Sequence, residues 1–301
     1  MSRSRRGLPV DGVLLLHKAE GVSSNHALQA ARRLLNAAKA GHCGTLDPLA
    51  TGLLPLAFGE ATKFSADLLG ADKAYEAEAR LGVVTDTGDI TGTILEEHPV
   101  AVTREQAEEA TRKLTGEIEQ IPPMYSALKR NGVALYTLAR EGKTVEREPR
   151  KVCILQFKIM SFDKDVVKFH CEVSKGTYIR TLIEDFGRLL GCGATMTALC
   201  RSRVGNLKLC DAVTLEALEK APAGRDREAM LRPPDALIQG LPVVHIEAAE
   251  EERFKNGQRL SLHLEERGRV RVYGPGEKLL GTAQVNERGV LAPERLIATD
   301  R

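Results

Sequence analysis

The hydrophobic period of this chain changes repeatedly and without a regular rhythm, and that limits the folds open to it. Tyr75, Ala77, Ala79 and Leu81 alternate with Glu76, Glu78 and Arg80, the period of two that marks a half-buried strand. Val167, Phe169, Cys171 and Val173 repeat the pattern after a turn at 162–165. Residues 12–17 and 53–58 are short apolar runs, and 194–204 reads as a further strand. Helical stretches fall irregularly between these. Ser23, Ser24 and Asn25 offer N-cap side chains to an Ala- and Leu-rich helix expected to end near 39–41. Residues 60–69 and 177–190 are also helical in pattern, and Thr103 with Gln106 forms a capping-box pair opening a helix to about Leu114. Strands and helices mix without a steady β-α-β alternation. The expected class is therefore α+β on a mixed sheet, not a doubly wound fold.

Pro222, Pro233 and Pro234 punctuate short helices before Gly240, where a boundary is expected. That divides the chain into residues 1–240 and a small β unit over 241–301, with one helix near 247–255 and a hairpin from 278–285 to 290–296. The length of 301 residues suits one large and one small unit.

Net charge is +2, which alone predicts no polyanionic partner, but the charge is uneven. Residues 1–66 carry eight Lys/Arg, among them Arg3, Arg5 and Arg6, against four acids. Residues 123–158 carry eight against three. Such stretches either meet phosphates or are solvated surface. Arg267, Arg269 and Arg271 alternate, so they would share one face of a strand and form a stripe for RNA or plain surface. The six cysteines lack C-x-x-C or zinc-finger spacing, which fits a reducing cytoplasm. No stretch approaches the ~20 apolar residues of a membrane span, and the run at 13–16 is too short for a signal peptide core.

The segment GHCGTLDPLATG at 41–52 loses all periodicity and reads as a loop. Pro48 biases Asp47 away from helical geometry, so the carboxylate sits on a turn. By itself Asp-Pro reads first as an Asx-turn, with the Asp bonding its own backbone. His42 stands between glycine-flanked positions five residues upstream, suited to a base or a phosphate, or to a structural role. With Cys43 it has no further ligands at metal-binding spacing. KGTYIRT at 175–181 places Lys175, Tyr178 and Arg180 at a strand-to-helix junction. An arginine there can grip a carboxylate through paired N–H bonds, and Asp47 is the candidate. Asp86 and Asp89, in TDTGD, could bind Mg²⁺, sit opposite an arginine or form a turn; Asp86 reads as a turn residue and Asp89 stays open.

Five segments together resemble one family: GVLLLHKAEGVSSN (12–25), AGHCGTLDPLATGLLPLAFGEATKF (40–64), KAYEAEARLGVVTDTGD (73–89), IPPMYSALKRNGVALYTLAREG (121–142) and SKGTYIRTLIEDFGRLLGCGA (174–194). In content and order they look like the tRNA pseudouridine-55 synthases, the TruB-type enzymes. The tail after 240 is similar, more weakly, to that family's small PUA-like RNA-binding β-barrel. The resemblance implies a mixed-sheet catalytic domain with a thumb insertion at about 124–150. It implies Asp47 as catalytic aspartate, Arg180 as its partner, and Tyr75 as the aromatic that stacks on the target base and handles a proton. His42, Tyr178 and Leu199 would line the nucleotide site, and Lys18 would be structural. Two departures stand out: Ala19 where the first motif usually has proline, and Cys43 where threonine is common.

The implied reaction moves uracil from N1 to C5 attachment on the same ribose. No atom is gained or lost, so no cofactor or metal is expected. The carboxylate either adds to C6 of the base or assists its departure from C1′. The target uridine must leave its stack, and loops such as the tRNA T-arm stem-loop permit that. The expected protein is a monomer that takes tRNA without a guide RNA. The competing expectation is a non-catalytic tRNA-binding or folding factor on the same scaffold.

Overall fold

The computed structural model describes residues 7–130 and 132–298. The excess charge at Arg3, Arg5 and Arg6 lies outside the described residues. Seven strands make most of a ten-stranded sheet: β1 (Gly12–Lys18), β2 (Thr51–Phe58), β3 (Lys73–Leu81), β4 (Gly116–Gln120), β5 (Arg150–Asp163), β6 (Val166–Val173) and β7 (Ala194–Val204). Their spatial order is β1-β2-β7-β3-β6-β5-β4. Short strands at Val213–Thr214, Ala40–His42 and Leu207–Lys208 add to β1, β2 and β7 respectively. β7 runs parallel to β2, and Val213–Thr214 runs parallel to β1; the other pairs are antiparallel. This is the mixed sheet the irregular pattern called for.

Three helices, α1 (Ser24–Leu34), α2 (Arg104–Lys113) and α3 (Ile179–Leu190), contribute to the main core. β1 is buried on both sides, which explains its continuous apolar run. Leu14 and Leu16 join the core with the helices, while Val13 and Leu15 join a second core. On the helix side, Phe157, Phe169 and Phe186 form a ring cluster with centroids 4.9–5.9 Å apart. The capping box of α2 is present as expected, with Thr103 and Gln106 bonding each other's main chain.

Two boundaries differ from the sequence expectation. α1 ends at Leu34, well before 39–41. Asn36 adopts φ +47°, and Arg32 donates to the carbonyls of Ala37 and Ala38, so the chain turns where composition alone would let the helix run on. The 41–52 segment is not all loop either. Ala40–His42 pairs with 56–58, and Thr51–Gly52 opens β2, because the strand partner supplies the bonds that local sequence does not advertise.

A second, five-stranded sheet holds β8 (Val243–His245), β9 (Leu260–Ser261), β10 (Gly268–Gly274), β11 (Lys278–Val285) and β12 (Val290–Leu296), in the order β8-β10-β11-β12-β9. It has its own core around Phe254, Val270, Val272 and Leu291. Two of the three arginines of the expected stripe are spent inward, while Arg267 stays exposed and donates to the Leu264 and Glu266 carbonyls. Arg269 pairs with Asp67 and Glu294, and Arg271 donates to the Leu241 carbonyl and to Tyr273, whose hydroxyl bonds Asp235 at 2.6 Å. Acidic partners at the junction with the large sheet, invisible to strand periodicity, claim these side chains.

Phe186 is fully buried in the ring cluster. Phe186→Ala should cost about 3–5 kcal/mol, read as a lower urea midpoint of the large sheet followed by far-ultraviolet dichroism.

Candidate active site

Asp47 lies on the connection from Ala40–His42 to β2, and this loop is pinned at nearly every residue. Leu46 is 4 % exposed, Ala50 is fully buried, and both anchor in the main core. Ser24, at the start of α1, donates its hydroxyl to the Leu46 carbonyl at 2.9 Å and accepts the Leu46 N–H at 2.8 Å. The N–H of Gly21 donates to the Pro48 carbonyl at 2.8 Å. The buried Lys18 ammonium reaches the carbonyls of Ala19, Val22 and Pro48 at 2.8, 2.7 and 3.2 Å. Arg201, 1 % exposed, donates to the carbonyls of Gly44, Thr45 and Leu53. The Ala50 N–H closes a turn onto the Asp47 carbonyl at 3.1 Å. The Asp47 side chain is left 38 % exposed on this fixed base.

Arg180 meets it from the first turn of α3. Its Nη2 lies 2.9 Å from Asp47 Oδ2 and also donates to the Tyr125 carbonyl at 2.7 Å; its Nη1 donates to the Thr87 carbonyl at 2.9 Å. The Arg180 side chain is only 4 % exposed. The ion pair that KGTYIRT suggested is therefore formed, with the positive partner buried and the negative one reaching the surface. Asp89, left open by the sequence, proves to face the same arginine, with Oδ2 3.9 Å from Nε. Thr87, the Thr91 hydroxyl and the Thr91 N–H all donate to Asp89 Oδ1, which keeps that carboxylate in place. Asp86 is a turn residue, accepting from the Thr93 N–H.

The other candidates gather on neighbouring elements. Tyr178 caps α3, and its main chain is held on both sides by the Gln120 amide. Burial pushes its phenol up, against the opposing pull of the nearby Arg150 and Arg180 charges. The Asp47 charge raises it further. Tyr75 on β3 and Leu199 on β7 are each 8 % exposed and belong to the main core, with the register pairing Tyr75 to Arg201 and Ala77 to Leu199. His42 stands at the end of its strand rather than in the loop. Burial, then the Arg201 charge, lowers its imidazole, so it is neutral at neutral pH, and its Nδ1 is buried without a partner. A cavity of about 370 Å³ adjoins the loop; Leu49, Thr51 and Leu199 line it, but Asp47, Arg180 and Tyr178 do not. The ion pair, rather than this cavity, brings the charged candidates together.

Sequence reasoning missed Ser24 and Arg201 as loop anchors. Ser24 was hidden as one of several capping candidates, while Ser23 is the N-cap. Arg201 carried one signal, a charge inside the apolar strand TALCRSRV.

The chain, whose mixed sheet carries a surface carboxylate paired with a buried arginine, belongs to the TruB family of pseudouridine synthases. Residues 32–179 match the TruB family pseudouridylate synthase N-terminal domain, 180–239 the tRNA pseudouridylate synthase B C-terminal domain, and 242–297 the C-terminal domain of pseudouridine synthase II TruB. More particularly, the chain is 52% identical over 297 residues to the tRNA pseudouridine synthase B of Dechloromonas aromatica (strain RCB), covering 99% of each. It is 54% identical over 303 residues to that of Burkholderia mallei (strain NCTC 10247), covering 98% of this chain and 99% of that protein. Among solved structures, a Cbf5-Nop10-Gar1 complex matches with a TM-score of 0.75 at 24% identity, covering 98% of this chain and 91% of that one. A likeness at that identity speaks for the α+β fold.

Ser24→Ala would leave the buried N–H and carbonyl of Leu46 without their partner. The expected cost is about 1–3 kcal/mol, measured as a lower thermal midpoint; an unchanged midpoint would mean that the loop is held without Ser24.

Proposed function

We propose that this protein isomerises uridine to pseudouridine in the T-loop of tRNA, at position 55, using Asp47. The observation that carries the reading is the Asp47–Arg180 pair, 2.9 Å apart, on a loop with little freedom to move. The naming of the relatives as tRNA pseudouridine synthase B, at 52–54% identity over nearly whole chains, supports tRNA as the substrate.

In this reading the target uridine leaves its stack and its base packs on Tyr75, with Leu199 and Tyr178 on the pocket walls. Arg180 gives Asp47 a fixed counter-charge and holds one carboxylate oxygen, which leaves the other to act on the nucleotide. Asp47 serves as nucleophile or charge stabiliser while the N1–C1′ bond breaks and C5 attaches; the C5 proton is then lost to water. Tyr178 keeps its proton at neutral pH, because burial raises its phenol, and so can donate a hydrogen bond. His42, neutral at that pH, contacts the RNA.

The unit over 1–240 would carry the chemistry and 241–301 would bind RNA. The separate core of the second sheet and the family matches ending at 239 and resuming at 242 support that division. The thumb at about 124–150 leaves β4 and returns as β5, with Arg150 paired to Gln120 at its base, and its basic side chains would grip phosphates. The protein would act as a monomer in the cytoplasm without a guide RNA. Among the described residues no helix is long and apolar enough to cross a membrane.

The test is tritium release from an unmodified tRNA transcript labelled at uridine C5, in buffer containing a chelator. The wild type should release tritium, and Asp47→Asn should release none while still binding tRNA. Binding without release by the wild type would point to a tRNA-binding or folding factor instead. A second expectation concerns pH. Burial lowers the Lys18 ammonium to about 8, with Asp47 and Glu20 pulling it up and Arg201 pushing it down. Its three carbonyl contacts need three N–H donors, and a neutral amine has two. Tritium release at saturating RNA should be full while Lys18 is protonated and should fall as pH rises through about 8. A rate that stays level well above that value would remove Lys18 protonation from the account.

A further inference from the structure

We infer that Arg201 is a positioning residue for the reaction, fixing the Asp47 loop and the Tyr75 strand relative to each other. The inference rests on the function proposed above. Arg201 is among the largest side chains that are fully buried, at 1 % exposure. Among the described residues it has no carboxylate within ion-pair distance. Its guanidinium instead donates to three main-chain carbonyls on both sides of Asp47: Gly44 at 3.2 Å, Thr45 at 3.4 Å and Leu53 at 2.8 Å. These bonds do not neutralise the buried charge; they define where the two ends of the loop lie.

The main chain of Arg201 is tied as closely. In β7 it pairs parallel with Gly52 of β2 and antiparallel with Tyr75 of β3. Gly52, at φ +101°, lies so close that a Cβ there would meet the Arg201 carbonyl oxygen at 2.4 Å and its nitrogen at 2.6 Å. Gly44, at φ +111°, has the Arg201 Nη1 3.5 Å from its Cβ position. The two glycines that bracket the catalytic loop thus both abut this one residue. Arg180 holds the Asp47 carboxylate from one side; Arg201 holds the loop's main chain from the other and sets its distance to the ring proposed to carry the base. The Arg201 charge also reaches His42 and Lys18, lowering both.

The experiment compares full-length wild type, Arg201→Lys and Arg201→Met. Three readouts are needed: single-turnover tritium release at saturating enzyme, affinity for unmodified tRNA, and hydrogen exchange of the amides at 43–50 without RNA. An ammonium cannot span the three carbonyls as a guanidinium does, so release should slow about tenfold in Arg201→Lys. It should slow about 100-fold in Arg201→Met, the scale of a misplaced reacting group. Affinity should stay within about threefold, since the Arg201 side chain is buried at 1 % exposure. Loop exchange should rise in both variants. If Arg201→Met does not fold, Arg201→Lys with a native melting profile decides alone. A Lys variant matching the wild type in release and loop exchange would overturn the inference, as would a loss confined to tRNA affinity. If the wild type itself releases no tritium, the proposed function fails, and the loop exchange of the Lys variant still decides whether Arg201 positions the loop.

Discussion

Buried cations bonded to main-chain oxygens are the constraint on which this site depends. Lys18, Arg180 and Arg201 each lose hydration on folding, and each recovers it from carbonyls at loop ends. A carbonyl satisfies a donor without cancelling its charge. Three positive centres therefore converge near one loop, and the carboxylate of Asp47 is the anion placed at its surface. The same bonds set position and electrostatics. This explains how a connection rich in glycine, normally the most adaptable kind of backbone, can present a reacting group with little reorganisation.

Much of this arrangement was legible in the sequence, and the reasons differ by residue. The mixed sheet could be read because β3 and β6 alternate cleanly and because β1 and β2 are apolar throughout. Asp47 and Arg180 could be read because their motifs carry the family resemblance; Asp-Pro alone pointed to an Asx-turn, and the spacing of KGTYIRT left its arginine open. The end of α1 could not, since Asn36 and Arg32 decide it through the φ of one residue and two side-chain bonds to the turn. Ser24, Asp89 and Arg201 act through partners 22, 91 and 156 residues away, and no local pattern encodes such a partner. The family resemblance supplied roles for Tyr75, Tyr178, His42 and Leu199 that residue type alone left open.

The second sheet illustrates the same limit. Its alternating arginines read as an exposed stripe, yet Arg269 and Arg271 face Asp67, Asp235 and Glu294. Tyr273 and Leu279 extend the apolar core that lies beneath β1 and β2. Lys63 donates to the Leu296 carbonyl, and the Ala298 N–H donates to Glu60, so the end of β12 is also fastened to the helical turn that follows β2. The contact combines apolar packing with ion pairs and hydrogen bonds. RNA bound along the small sheet would thus be held at a set distance from Asp47.

The parallel pairing of β7 with β2 has a consequence for how the protein is made. It spans only the pairs Cys200–Thr51 and Arg201–Gly52, yet it brings together segments nearly 150 residues apart in the chain. Contacts of such separation form late, after the entropy of closing a long loop has been met. On the ribosome, the segment bearing Asp47 emerges early but has no Arg180 or Arg201 to receive it until most of the large sheet has been synthesised. A nascent chain therefore displays its carboxylate on a loose tether, and competence arrives in one late step rather than growing with length.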